Sequence, residues 1–177
     1  VALAQEPGLY GTIVSVQDGY VYYVLGQDNN SGGTTAELRR VRIDGSAASE
    51  SYFKVPTQYA LECFDGIGTV YLSQGVYNDV YKYVRYDIAT GKAVDLSTGN
   101  FFIFGFNSSS VYFADGRGYV YQEPVTGGQS TYVMSVPYPL ELKPGWIPSG
   151  DGFYFIVSYM DPIKGYLSEV DYLEKVK

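Results

Sequence analysis

At 177 residues, 46% hydrophobic and only 18% charged, the chain is long enough to bury a core and too apolar to stay unfolded. A net charge of −7 argues against nucleic acid and anionic membrane surfaces as partners, since both attract basic surfaces. With no His and a single Cys, the chain cannot build Ser-His-Asp or Cys-His catalytic groups, His or multi-Cys zinc sites, or an intrachain disulfide.

Aromatic content is high: 20 Tyr and 9 Phe stand against one Trp, punctuated by 21 Gly and 8 Pro. Flat rings fit a half-buried pleated surface, so this composition specifies an all-β chain. No apolar run reaches the roughly 18 residues that a membrane span requires.

In chain order, Val1-Ala2-Leu3-Ala4-Gln5-Glu6 carries an Ala-x-Ala pattern like the end of a signal peptide, without the charged and apolar regions that should precede it. The two readings are a processed remnant and a strand start, and the strand is preferred. A first repeat follows over about 9–56. It has an inner strand from Leu9 to Val16, a Tyr-rich strand Gly19 to Val24, a third strand Leu38 to Ile43 closed by Asp44-Gly45, and a short outer strand Tyr52 to Val55. The segment Gln27 to Gly33 is turn chemistry inserted between the second and third strands. Within it, Asp28 and Asn30 alternate ahead of Gly like the start of a calcium loop, but Glu37 comes too early to be the bidentate carboxylate. A flexible turn is the preferred reading, and no metal site is assigned. Arg39, Arg40 and Arg42 form the one basic cluster, which strand alternation splits between two faces.

The second repeat, about 57–97, runs through Tyr59 to Phe64, Gly68 to Ser73, Tyr81 to Ile88 closed by Ala89-Thr90-Gly91, and Ala93 to Leu96. Cys63 reads as a small buried hydrophobe, because no His is present to activate a thiol. The third, about 98–137, runs through Phe101 to Phe106, Ser110 to Asp115, Tyr119 to Val125 closed by Thr126-Gly127-Gly128, and Thr131 to Val136. Phe101 to Phe106 is apolar throughout, as expected of a strand covered on both faces. The fourth, about 138–177, has Leu140 to Ile147, Gly152 to Val157 and Tyr166 to Tyr172, and reaches Glu174 where an outer strand should begin.

Tyr22, Tyr71, Tyr112 and Tyr154 anchor the four repeats at spacings of 49, 41 and 42 residues, the length of a four-stranded propeller blade. A β-sandwich would explain the strand density but not the recurring order of strand types. The expectation is one domain over residues 1–177: a β-propeller-like fold of about four blades with four antiparallel strands each. It closes as a small propeller, with Val1 to Glu6 supplying the missing outer strand, or forms part of a larger ring completed by a second copy or further sequence.

The third repeat, Val111-Tyr112-Phe113-Ala114-Asp115 through Tyr119-Val120-Tyr121 to Val125-Thr126-Gly127-Gly128, resembles a Tyr-Trp-Thr-Asp propeller repeat of lipoprotein-receptor type. It is still more similar to the tyrosine-rich propeller repeats of bacterial surface and lipoprotein families that have no assigned activity. Val21-Tyr22-Tyr23 with Val41 to Ser46 fits the same frame, while Ser73 and Val157 depart from it. The resemblance implies a fold and an extracellular or cell-envelope setting rather than a reaction.

The 19 acidic residues are scattered singly, and only Glu62 and Glu141 fall on inner strands. No Gly-rich phosphate loop has the strand-to-helix context it would need. Two Asn-x-Ser sequons occur, at Asn29 and Asn107. The expected function is therefore a non-enzymatic binding or scaffold module of the bacterial cell envelope, contacting protein or carbohydrate through propeller loops. No cofactor, catalytic residue or ligand-binding residue is assigned. The alternative is a carboxylate-based glycan hydrolase or lyase with its site at the central channel.

Overall fold

Among the described residues of a computed structural model, the alternating Tyr-rich segments form seventeen strands and no helix occurs. The structure describes residues 10–28, 34–78, 80–135, 140–141, 146–149, 152–161, 165–166 and 172–176, the last five segments as backbone pairing alone. The first sheet is a meander of β1 (Tyr10–Gln17), β2 (Tyr20–Asp28), β3 (Thr34–Arg42) and β4 (Glu50–Lys54). The second is β5 (Ala60–Phe64), β6 (Thr69–Tyr77), β7 (Val80–Asp87) and β8 (Ala93–Gly99). The third is β9 (Phe101–Phe106), β10 (Ser110–Asp115), β11 (Tyr119–Pro124) and β12 (Thr131–Ser135).

The fourth sheet departs from the expected strand bounds. Within the inner strand expected over Leu140 to Ile147, the described residues are β13 (Leu140–Glu141) and β14 (Trp146–Ser149), both paired with β15 (Gly152–Asp161), which itself runs on beyond Val157 to Asp161. β16 (Gly165–Tyr166) and β17 (Tyr172–Val176) also pair with β15. Residues from Glu174 on, where an outer strand is expected to begin, instead continue the pairing with β15 from Val157↔Tyr172 to Phe153↔Val176. The inserted turn of the first sheet is also shorter than expected, because Gln27 and Asp28 already pair with Thr35 and Thr34.

Three features repeat in the first three sheets. The anchor tyrosine faces a small residue on the inner strand: Tyr22↔Ser15, Tyr71↔Cys63 and Tyr112↔Gly105. The next inner-strand residue is skipped in the register, leaving Val14, Glu62 and Phe104 as single-residue bulges at equivalent places. The third strand ends on one recurring bond to the turn before the second strand: Ile43 N to Gly19 O, Ile88 N to Gly68 O, and Val125 N to Ser109 O. Acidic or amide side chains then cap the turns. Asp65 Oδ1 accepts from the backbone N–H of Ile67, Gly68 and Thr69, and Asn107 Oδ1 from Ser109 and Ser110.

By internal contacts the chain forms two compact units, Val1–Gly75 with Tyr83–Ala93, and Val76–Lys82 with Val94–Lys177. In the first, Tyr22, Leu38, Val55, Phe64, Val70 and Leu72 make one buried cluster. Val21, Tyr23 and Val41 make a second on the opposite face of the β2–β3 pair, as period-two alternation requires. In the second unit Val111, Tyr112, Phe113, Ala114 and Val120 are buried.

The second strand of a blade is thus the most covered one: the first five residues of both β6 and β10 are buried. The expectation that Phe101 to Phe106 is covered on both faces does not hold, because Phe101, Phe102 and Ile103 are only half-buried. β9 is an edge of its sheet and pairs on one side only, whereas β10 has a strand on either side.

Gly127 has φ +80°, and a Cβ there would stand 2.9 Å from the Asp95 carbonyl oxygen and 3.3 Å from Val94 Cγ1. Gly127→Ala is expected to lower stability by about 1–3 kcal/mol through backbone strain and this contact with main chain. Gly116→Ala, where a Cβ meets open space, serves as a near-neutral control. Urea midpoints of the two variants check the contrast, and equal midpoints would remove the argument.

Candidate binding surfaces

The Arg cluster divides between two faces as alternation predicts. Arg40 lies opposite Tyr22, and its guanidinium carbon sits 4.6 Å from the Tyr20 ring centre and 4.9 Å from that of Tyr52. Its Nε donates to Glu50 Oε1 at 2.6 Å, which strengthens its hold on the proton, and Arg42 lies 5.4 Å over Tyr20. Arg39, on the other face, donates to Glu37 and to Ser49. These cations are neutralised locally, so the one basic cluster offers no phosphate-binding surface.

Among the described residues, several carboxylates are likewise committed singly. Burial pushes the Glu37 carboxyl up, but hydrogen bonds from Ser51 and Arg39 outweigh this and leave it below its ordinary range. Hydrogen bonds from Ser46, with Arg42 beside it, hold Asp44 at about 2. Asp87 is held down by Thr90, and Lys82 pairs with Asp95 at 2.9 Å. Glu62, the bulged residue of β5, is exposed and accepts a hydrogen bond from the Ser73 hydroxyl. Glu141 lies in β13, paired with Ser158.

Glu123 was not singled out by the sequence reading. It is 1% exposed, and its Oε2 accepts from Ser97 N at 3.1 Å, from the Ser97 hydroxyl, and from the Ser130 hydroxyl at 3.0 Å. An acidic residue on an alternating strand carries no local sign that donors 26 residues away will enclose it.

Among the described residues no group of three or more His, Cys, Asp and Glu side chains could hold a metal ion. Asp28 ends β2, paired with Thr34, while Asn30 and the Asn29 sequon lie outside the described residues. Asn107 is held at both ends of its amide: Nδ2 donates to the Tyr112 hydroxyl at 3.3 Å, while Oδ1 caps its own turn. Cys63 sits beneath the Tyr71 anchor, and desolvation pushes its thiol well above the ordinary range, the opposite of an activated nucleophile. A cleft of about 440 Å³ lies between β3 and the end of β4, lined by Ala36, Glu37, Lys54, Val55, Pro56 and Thr57.

Among the described residues, exposed apolar side chains include the scattered Val16, Ile43 and Ile67 and two groups that stand apart from the satisfied polar ones. The β6–β7 hairpin extends beyond the buried part of β6 and ends on Val76, 60% exposed, and Tyr77, 74% exposed, before Asn78 turns the chain at φ +44°. On β11 and β12, Tyr119 and Tyr121 each meet Tyr132 edge-on with ring centres 6.2 Å apart.

No family model matches the chain, and no curated protein matches it. Among solved structures, the β-propeller domain of the Trilobed protease from Pyrococcus furiosus, described as having an open velcro topology, aligns over 98% of this chain with a TM-score of 0.53. The fold is a β-propeller. At 13% identity the likeness extends to the fold alone, and the chain spans 58% of that structure. The four-stranded meanders are thus propeller blades, and the Asp- and Gly-capped connections are the loops at their ends. No helix among the described residues is long and apolar enough to cross a membrane.

Proposed function

We propose that this propeller is a non-enzymatic binding or scaffold module of the bacterial cell envelope, outside the cell, which contacts a protein or glycan partner through its loops. The observation that carries this reading is the β6–β7 hairpin. Its buried half packs in the blade, while its free half carries Val76 and Tyr77 into solvent at a turn, where polar residues would suffice for folding. A large ring held out at a loop tip is suited to burial against a partner. Among the described residues, the separate commitment of Glu37, Asp44, Glu50, Asp87, Asp95 and Glu123 to an Arg, a Lys, hydroxyls or a turn supports binding over hydrolysis. The envelope setting rests on the resemblance of the Tyr-rich repeats to those of bacterial surface proteins.

The test compares the chain with a Val76→Ser, Tyr77→Ser variant, each immobilised and exposed to solubilised bacterial envelope proteins and glycans. The expected result is a partner retained by the parent chain and bound about tenfold or more weakly by the variant at an unchanged melting temperature. Release of new reducing ends from the same glycans, abolished by Glu62→Gln, would establish the carboxylate hydrolase instead.

A further inference from the structure

Comparison of equivalent positions in the blades points to a second site, built from residues other than those of the hairpin tip. The recurring bond from Ile43, Ile88 and Val125 fixes the alignment of the third strands, so Glu37, Lys82 and Tyr119 occupy one position. The pairing of third with fourth strands extends the match, because Arg39↔Ser51 in the first blade corresponds to Tyr121↔Tyr132 in the third. In the first blade these positions hold a self-satisfied polar group in which Arg39 donates to Glu37 at 3.1 Å. In the second, Lys82 pairs with Asp95 at 2.9 Å, while Val84, 1% exposed, stands where Arg39 and Tyr121 do. The blade therefore accepts charged residues at the Tyr119 position and either Arg or Val at the Tyr121 position, so its packing does not call for aromatic ones. The third blade nevertheless places three tyrosines there, with Tyr119 41% and Tyr132 59% exposed.

The chemistry of the surrounding strands narrows the ligand. From Tyr119 to Gln122 and from Gln129 to Ser135 there is no charged side chain, in a protein of net charge −7. The exposed polar groups of these segments are hydroxyls and amides: Gln129, Thr131, Ser135, which pairs with Tyr119, and the phenols themselves, while Gln122 and Ser130 are hydrogen-bonded to Ser110 and Glu123. A neutral polyhydroxy ligand matches such a surface, since C–H faces of a sugar ring pack on aromatic rings while hydroxyls exchange hydrogen bonds with neutral groups. Size argues the same way. A stable protein–protein contact buries more than about 1,000 Å² in total, whereas a Tyr offers at most about 150–250 Å², and these rings are already partly covered.

We propose that Tyr119, Tyr121 and Tyr132 form a binding platform for a neutral oligosaccharide on the β11–β12 face of the third blade. This site stands independently of the hairpin tip, and its test uses different residues. Cellohexaose, maltohexaose and chitohexaose would be titrated into the chain, with the polyanionic hexagalacturonate as control, while backbone amide shifts of residues 119–135 are followed. The expected result is saturable binding of at least one neutral glycan, weakened about tenfold or more by Tyr132→Ala and by Tyr119→Ala, and unchanged in Tyr77→Ser. Unchanged amide shifts in this segment with every neutral glycan would overturn the proposal. So would full affinity in both tyrosine variants, or a preference for hexagalacturonate. A protein ligand captured through Tyr132 with no neutral glycan bound would also overturn it, and would assign the surface to protein recognition.

Discussion

Replacing Phe64 by alanine is expected to lower stability by about 3–5 kcal/mol, enough to shift the melting temperature by about 10 °C in a chain of this size. Phe64 is 2% exposed, and its ring centre lies 4.9 Å from that of Tyr22 and 5.7 Å from that of Tyr52. The same cluster takes Leu38, Val55, Val70 and Leu72, so residues from both the first and the second sheet line the space the ring fills. None of these neighbours can move far without disturbing its own strand pairing, which is why a cavity would remain. Phe64→Leu should lose less than about 1.5 kcal/mol, because volume and polarity are nearly kept. Denaturant unfolding of the two variants gives the contrast directly, and a loss below about 1 kcal/mol in the alanine variant would mean that the cluster is not a core.

Glu123→Ala is expected to be nearly as damaging, at about 3 kcal/mol. The backbone N–H of Ser97 and the hydroxyls of Ser97 and Ser130 all donate to one carboxylate oxygen, and the two hydroxyls lie 2.6 Å apart. Removing the acceptor leaves the half-buried Ser97 N–H without its partner and the two hydroxyls with only each other, and opens the space the buried side chain filled. Glu123→Gln keeps the shape and one carbonyl oxygen, so its loss should be about 1 kcal/mol. Equal losses in the two variants would show that packing, rather than hydrogen bonding, gives Glu123 its importance. A neutral alanine variant would show that water replaces the carboxylate.

Much of this architecture is legible in the residues. The bounds of β9 and β10 follow from the apolar run Phe101 to Phe106 and the alternation Ser110 to Asp115, and the positive φ of Gly45, Gly91 and Gly127 falls at the turns that close the third strands. What escapes the sequence is non-local. A bulge at Val14, Glu62 or Phe104 inserts one residue without changing composition. Its trace is the small residue facing each anchor, which also accounts for Cys63. The half-buried state of Phe101 to Ile103 follows from the edge position of β9, which hydrophobicity alone does not encode. Glu123 reads as a surface acid until the strand bearing Ser97 is placed beside it. The tyrosines of β11 and β12 are evident as tyrosines, but their exposure is clear only when the charged pairs of the other blades are set at the same positions.

The claim that each blade is organised around its second strand is tested most directly by native-state amide hydrogen exchange. The account predicts that Val70 to Ser73 and Val111 to Ala114 exchange only through global unfolding, since these residues are buried in β6 and β10. The edge strands β9 and β12 should exchange by local opening, at rates that respond little to denaturant. Protection of Phe101 to Phe106 equal to that of β10, or rapid exchange across β6, would contradict it.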